Sequence, residues 1–150
     1  MTKIQLKPIG FVKRQLKDEN DRDRSLISKI LINENLTEAL DGIEDFSHIY
    51  IIFWLDKIKN RNYLHHPGAK LDTKPVGVLA TRAPIHPNPI GLTIVELIKR
   101  EKNIIWVKGL DAFDNTPILD IKPYPDWEQG EPIVINDFRI PNWIKKKKTN

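Results

Sequence analysis

No cysteine occurs in the 150 residues, so disulfide frameworks, thiolate nucleophiles and cysteine-based zinc sites are excluded together. Glycine is scarce. Its seven copies, Gly10, Gly42, Gly68, Gly77, Gly91, Gly109 and Gly130, never fall two apart, which removes the dinucleotide-binding fingerprint and the phosphate-cradling P-loop. Long apolar runs are missing as well, and the opening Met-Thr-Lys-Ile-Gln-Leu-Lys-Pro lacks the apolar stretch of a secretory signal. The expectation is a soluble, cytoplasmic chain with no membrane contact. Metal chemistry would have to come from histidine and carboxylate. Among His48, His65, His66 and His86, the adjacent pair would point to opposite faces of a strand and lacks the i, i+4 spacing of a helical zinc motif, so no metal site is expected.

What is present reads as one folded domain. Hydrophobic residues make up 40% and charged residues 29%, an ordinary globular balance. A chain of this length buries roughly 68–70% of its unfolded surface. Residues 1–144 are expected to form a single domain, followed by a basic tail over 145–150. Net charge is +4 with an isoelectric point near 9.2. Part of the excess is Lys145-Lys146-Lys147-Lys148, a run that attracts phosphates or acidic surfaces through a screened field.

Strand signals outnumber helix signals. Residues 3–12 alternate up to an interruption at Pro8, 25–32 are rich in β-branched residues, and Ser47 to Leu55 is apolar on both faces, as a central strand would be. Short strands are expected over 76–81, 92–99, 104–110 and 117–122, with a hairpin at Lys102-Asn103 and one helical turn over 36–40. Residues 13–24 read as a charged surface loop and 56–75 as a long polar connection. Three prolines and a glycine from Pro123 to Pro132 argue against regular structure there, and 133–144 is a short element of undefined type. The fold class is mainly β: a small closed or nearly closed barrel with one or two short helices. A Rossmann fold is disfavoured by the lack of long amphipathic helices between strands.

Within that frame, residues 80–91 read Ala-Thr-Arg-Ala-Pro-Ile-His-Pro-Asn-Pro-Ile-Gly. Pro84, Pro87 and Pro89 fix their own φ and carry no amide proton, which stiffens the loop. Arg82, His86 and Asn88 stand on that stiff backbone, offering a charged fork, a titratable imidazole and a donor-acceptor amide. Two companion strings accompany it: Asp-Gly-Ile-Glu-Asp-Phe-Ser-His at 41–48 and Asp-Ala-Phe-Asp-Asn-Thr-Pro-Ile-Leu-Asp-Ile-Lys-Pro-Tyr at 111–124.

In that order and separation, over roughly residues 8–125, the three strings closely resemble the TsaA-like family, also called the TrmO family. The resemblance implies a small β-barrel that forms homodimers and uses S-adenosylmethionine. It also implies transfer of a methyl group to the N6 of (threonylcarbamoyl)adenosine 37, just 3′ of the anticodon, with the tRNA anticodon stem-loop as partner. By match to the family's strings, Ser47, His48, Arg82, Leu92, Leu110, Asp111, Ala112, Phe113 and Asp114 are candidate cofactor-binding residues. Two departures stand out. The family more often has arginine at His86, and Asp-Gly-Thr-Pro where this chain has Asp114-Asn115-Thr116-Pro117. Asparagine tolerates positive φ, so Asn115 is expected to keep the glycine turn.

Methyl transfer from a sulfonium to an exocyclic amine is an in-line displacement, and alignment is the enzyme's main task. Asn88, Asp111 and Asp114 are the candidate catalytic residues, each able to accept a hydrogen bond from the adenine N6–H. Arg82 suits a carboxylate or phosphate. Lys13, Arg14, Lys17, Arg22 and Arg24, with the lysine tail, are candidate phosphate contacts, and Tyr63 or Trp127 candidate stacking platforms. The competing readings are a noncatalytic RNA-binding barrel and a methyltransferase for another RNA or a small molecule.

Overall fold

The alternating segments form strands β1 (Gly10–Lys13), β2 (Ile27–Ile32), β3 (His48–Trp54), β4 (Leu64–His65) and β5 (Val76–Gly77). They continue with β6 (Ile90–Glu101), β7 (Ile104–Lys108), β8 (Pro117–Tyr124), β9 (Trp127–Glu128) and β10 (Glu131–Pro132). Six of these close into a barrel in the order β1-β2-β7-β6-β3-β8, every pair antiparallel. This computed structural model describes residues 3–14, 24–59, 63–65, 74–141 and 143–144. Among the described residues the helical segments are 3-10 turns, at Glu34–Leu40, Ile43–Asp45 and Val78–Ala80. No helix among them is long and apolar enough to cross a membrane, and none of their His, Asp or Glu side chains cluster as metal ligands.

Period-two patterning places Val12, Ile30, Ile49, Ile51, Val95, Ile105, Val107 and Ile118 inside the barrel, each essentially without solvent contact. Burying one such side chain contributes about 1.5–3 kcal/mol. β3 forms where the apolar run predicted a strand, but the barrel is closed, so it is flanked by β6 and β8 as every strand has two neighbours, and only its inner face is fully buried. Its outer residues Tyr50, Ile52 and Trp54 stay half-buried. Cross-strand registers set Tyr50 beside Ile94, Ile52 beside Leu92 and Trp54 beside Ile90, making a continuous apolar outer face. Burial there pushes the Tyr50 phenol up.

One barrel end is plugged. Leu40, with Leu36, Ile43 and Phe46, packs onto the core from the 3-10 segments between β2 and β3. Arg100 ties that plug down: its guanidinium donates to the Thr37 carbonyl (3.0 Å), Asp41 (2.8 Å) and Glu44 (3.3 Å). A hydrogen bond at its own backbone, together with Arg100, holds the Glu44 carboxyl below the usual carboxylate range.

Several sequence expectations change. β1 begins only at Gly10 because residues 3–8 find no strand partner. β6 runs 12 residues, two earlier and two later than its apolar run, because Ile90 to Glu96 pair with β3 and Glu96 to Glu101 pair with β7, the latter ladder shifting register between Leu97 and Lys99. Prolines did not prevent order after 122. β8 passes through Pro123, and β9 and β10 form a hairpin turning on Gln129 and Gly130, both at positive φ. No strand or helix is assigned to the described residues of 133–144. Arg14, expected in a surface loop, is 8% exposed. Lys17, Arg22, His66 and the tail over 145–150 lie outside the described residues.

Candidate active site

The opposite barrel end opens into a cleft of about 370 Å³. Antiparallel order explains why it forms here. β3 ends where β6 and β8 begin, so the proline-rich segment before β6 and the acidic segment before β8 leave the barrel on either side of the β3 terminus.

The proline loop is fastened at several points. Leu55 N–H donates to the Pro89 carbonyl (2.7 Å), pinning the loop to the end of β3. Thr81 Oγ1 donates to the Val78 carbonyl (2.7 Å) and accepts from Ala83 N–H (3.2 Å). His86 Nε2 lies 3.1 Å from the Thr81 carbonyl. A carbonyl only accepts, so Nε2 carries the proton and Nδ1 of the neutral ring is left as an acceptor. Arg82 reaches back to the Leu92 carbonyl at 2.5 Å.

The acidic loop is held by β1. Asn115 N–H donates to the Val12 carbonyl (2.9 Å), and Asp114 Oδ1 accepts from Arg14 N–H (2.8 Å). Asn115 sits at φ 62°, so it does make the turn expected of it, and its amide caps Asp114 Oδ2 at 3.0 Å. Arg14 Nη1 reaches the Ala112 carbonyl at 3.5 Å. Asp111 pairs with Arg24 at 3.0 Å, both partly exposed.

Arg82, Ala83, Pro84 and His86 from one loop thus face Asp111, Ala112 and Phe113 from the other across a shared space. Phe53, Leu55, Ile58, Ile90 and Leu92 supply apolar walls, Gly91 and Thr93 line it beside them, and Arg14 and Arg24 add two cations. Lys57 lies over the Phe113 ring, 5.3 Å from its centroid. Apolar walls with a few convergent charges match the general makeup of a small-molecule site. The donor set fits a zwitterionic nucleoside sulfonium: cations for a carboxylate, Asp111 for positive charge, and flat apolar surfaces for a base.

Of the candidate cofactor residues, Arg82, Leu92, Asp111, Ala112 and Phe113 line the cleft. Four do not. Ser47 and His48 stand at the plugged end of β3, roughly 20 Å away for a strand of this length. There the Ser47 hydroxyl meets His48 Nδ1 at 2.9 Å and the imidazole packs edgewise on Tyr124. Leu110 is a core residue at 1% exposure, and Asp114 spends both carboxylate oxygens on turn contacts. Of the candidate catalytic residues only Asp111 reaches the cleft. Asn88 is exposed outside it, its carbonyl accepting from Ile90 N–H at 2.7 Å. Arg14 and Arg24, read as phosphate contacts, line the cleft instead. Trp127, a candidate stacking platform, is itself stacked on Phe46 at 5.9 Å between centroids, and Tyr63 is exposed. Sequence reading missed Phe53, Leu55 and Ile58, for which the only signal was position just before and after the end of the most apolar strand.

Barrel and cleft together define a class of small β-barrel with a loop-built cleft at one end. The chain belongs to the tRNA-methyltransferase O N-terminal domain family, whose model matches residues 15–127. An S-adenosyl-L-methionine-binding protein of Archaeoglobus fulgidus is 40% identical over 125 residues, covering 79% of this chain and 88% of that protein. A mouse tRNA (adenine(37)-N6)-methyltransferase is 42% identical over 101 residues, 65% of this chain but only 23% of its own length. The crystal structure of TrmO from Pseudomonas aeruginosa superposes with a TM-score of 0.71 at 26% identity, over 95% of this chain and 62% of that one.

Proposed function

We propose that the chain is an S-adenosylmethionine-dependent methyltransferase acting on the N6 of adenosine 37 in tRNA, with the threonylcarbamoyl form of that nucleoside as acceptor. The single observation that carries the reading is the convergence of the proline loop and the acidic loop on one cleft in a barrel of this family. The methyl donor supplies the activated carbon. Arg82 holds an anionic group by its planar fork, Phe113 offers a flat surface to a base, and Asp111 and the acceptor nitrogen of His86 are the groups able to bond the N6–H. Residues 1–144 constitute the working domain, 145–150 a basic tail, and the cytoplasm the working compartment.

The apolar outer face of β3 and β6 borders the cleft at Ile90 and Leu92, and it is the surface through which two copies associate. A charge placed at Ile94 should dissociate the proposed homodimer in sedimentation while leaving the barrel folded.

Mass spectrometry of nucleosides from tRNA incubated with the purified protein and S-adenosylmethionine tests the reaction. The expected product is N6-methylated threonylcarbamoyladenosine, and unmethylated tRNA would overturn the assignment. Calorimetry with the methyl donor separates this reading from a noncatalytic RNA-binding barrel, which would give no heat.

A further inference from the structure

The barrel wall opposite the apolar face carries a different pattern. Cross-strand registers place Lys13 opposite Lys29, Lys29 opposite Trp106, and Trp106 opposite Lys99, so four adjacent strands contribute one lateral row on the outer surface. Neighbouring inner positions Val12, Ser28, Ile30, Ile105 and Val107 are buried, which confirms that the row faces outward. Three inter-strand spacings give it a span of about 15 Å. It starts beside the acidic loop, where Lys13 donates to Asn115 (2.6 Å) and the next residue, Arg14, lines the cleft.

Two features point to an anionic polymer. Like charges directly opposite each other in an antiparallel pair destabilise a sheet, and Lys13 facing Lys29 is such a pair. Trp106 then gathers the other cations, with Lys99 Nζ 4.3 Å and Lys29 Nζ 5.7 Å from its ring centroid. Its indole receives one ammonium group from each neighbouring strand. Lys99 also pairs with Glu101 at 2.5 Å, but both groups are half exposed, and such a contact yields readily to a phosphate.

We infer that the row Lys13, Lys29, Trp106 and Lys99 is a track for the phosphodiester backbone of RNA, leading away from the cleft across the outside of β1, β2, β7 and β6. The choice of RNA rests on the tRNA reading of the cleft; the track itself rests on charge and register. Its contacts are to phosphates, so it contributes affinity and orientation without reading sequence.

The test is binding of fluorescein-labelled tRNA to the full chain over a series of salt concentrations, measured by anisotropy, with Lys29→Gln/Lys99→Gln beside the unaltered protein. Losing two phosphate contacts should lower the slope of log affinity against log salt by about 1.4–1.8. The charge-keeping Lys29→Arg/Lys99→Arg variant should retain it. Heat of methyl-donor binding should stay unchanged. Thermal stability should hold or rise, because the lysine opposition is relieved, which a merely structural role would not produce. Unaltered affinity and slope in the folded double Gln variant would overturn the inference, as would absence of RNA binding by the unaltered protein at low salt. A reduced slope in a protein that fails to methylate tRNA would leave the track standing and sink the reaction.

Discussion

Gly91 lies directly opposite Phe53 across the β3–β6 pair, and the Phe53 ring occupies the volume where a side chain at Gly91 would stand. The closing glycine of the proline string is therefore a packing requirement, and it shapes the cleft that both residues line. Gly91→Ala should cost about 1–3 kcal/mol as the ring is forced aside. Thermal unfolding should show the loss, and calorimetry a weaker methyl-donor affinity. Adding Phe53→Leu should restore part of the stability, since the two positions compete for one space.

Arg82 is exposed, and its hydrogen bond to Leu92 crosses the cleft edge. Arg82→Ala should leave stability within about 0.5 kcal/mol yet weaken methyl-donor binding about tenfold, a change of about 1.4 kcal/mol. Arg82→Lys should recover little of it because a single ammonium cannot reproduce the planar fork. A folded variant with unchanged affinity and turnover would remove the proline loop from the mechanism.

Asp111 and Asp114 are three residues apart and do different work. Asp114 bonds the Arg14 amide and the Asn115 side chain, whereas Asp111 meets Arg24 in an exposed pair. Asp114→Ala should cost about 1–3 kcal/mol in denaturant unfolding. Asp111→Ala should cost under about 1 kcal/mol but lower kcat, measured with saturating tRNA.

At Asn115 the backbone itself is the constraint. Its φ of 62° penalises a branched or plain side chain, and Asn115→Ala should destabilise by about 1–2 kcal/mol. Asn115→Gly should be the milder change, offset only by the lost contacts to Lys13 and Asp114. Paired chemical denaturation curves decide the order.

The plug adds a pH dependence. Glu44 is more acidic in the folded chain than in an unfolded one, whose glutamates titrate near about 4.3. Its contribution is full above that unfolded value and fades as pH falls through the depressed folded one. Glu44→Gln should therefore lower the melting temperature at neutral pH and make no difference in strong acid, a contrast visible in scans across the acid range.

Much of this architecture was readable from period-two patterning, because a strand with one wet face carries its own signature. β2, β3 and the hairpin at Lys102-Asn103 fall where the pattern put them, and the Asn115 turn follows from the glycine the family carries there together with asparagine's tolerance of positive φ. Neighbourhood was not readable. His48 and Arg82 belong to strings that look equally diagnostic, yet antiparallel direction sends one to the plugged end and the other to the cleft. Arg14 reads as one more charge in a charged run until β1 carries it under the acidic loop. The β9–β10 hairpin escaped notice because Pro125 and Pro132 mask a turn whose conformation depends on Gln129 and Gly130.

The alternation of partners along β6 has a consequence for how the molecule can change. Its first half closes the apolar wall with β3 and its second half carries the basic row beside β7; the two ladders meet at Glu96, and a register shift between Leu97 and Lys99 follows within the second. A one-residue insertion at that shift would rotate one half's outward side chains inward while sparing the other. The proposed self-association and polyanion affinity would therefore be tuned one at a time, by edits to opposite halves of a single ribbon.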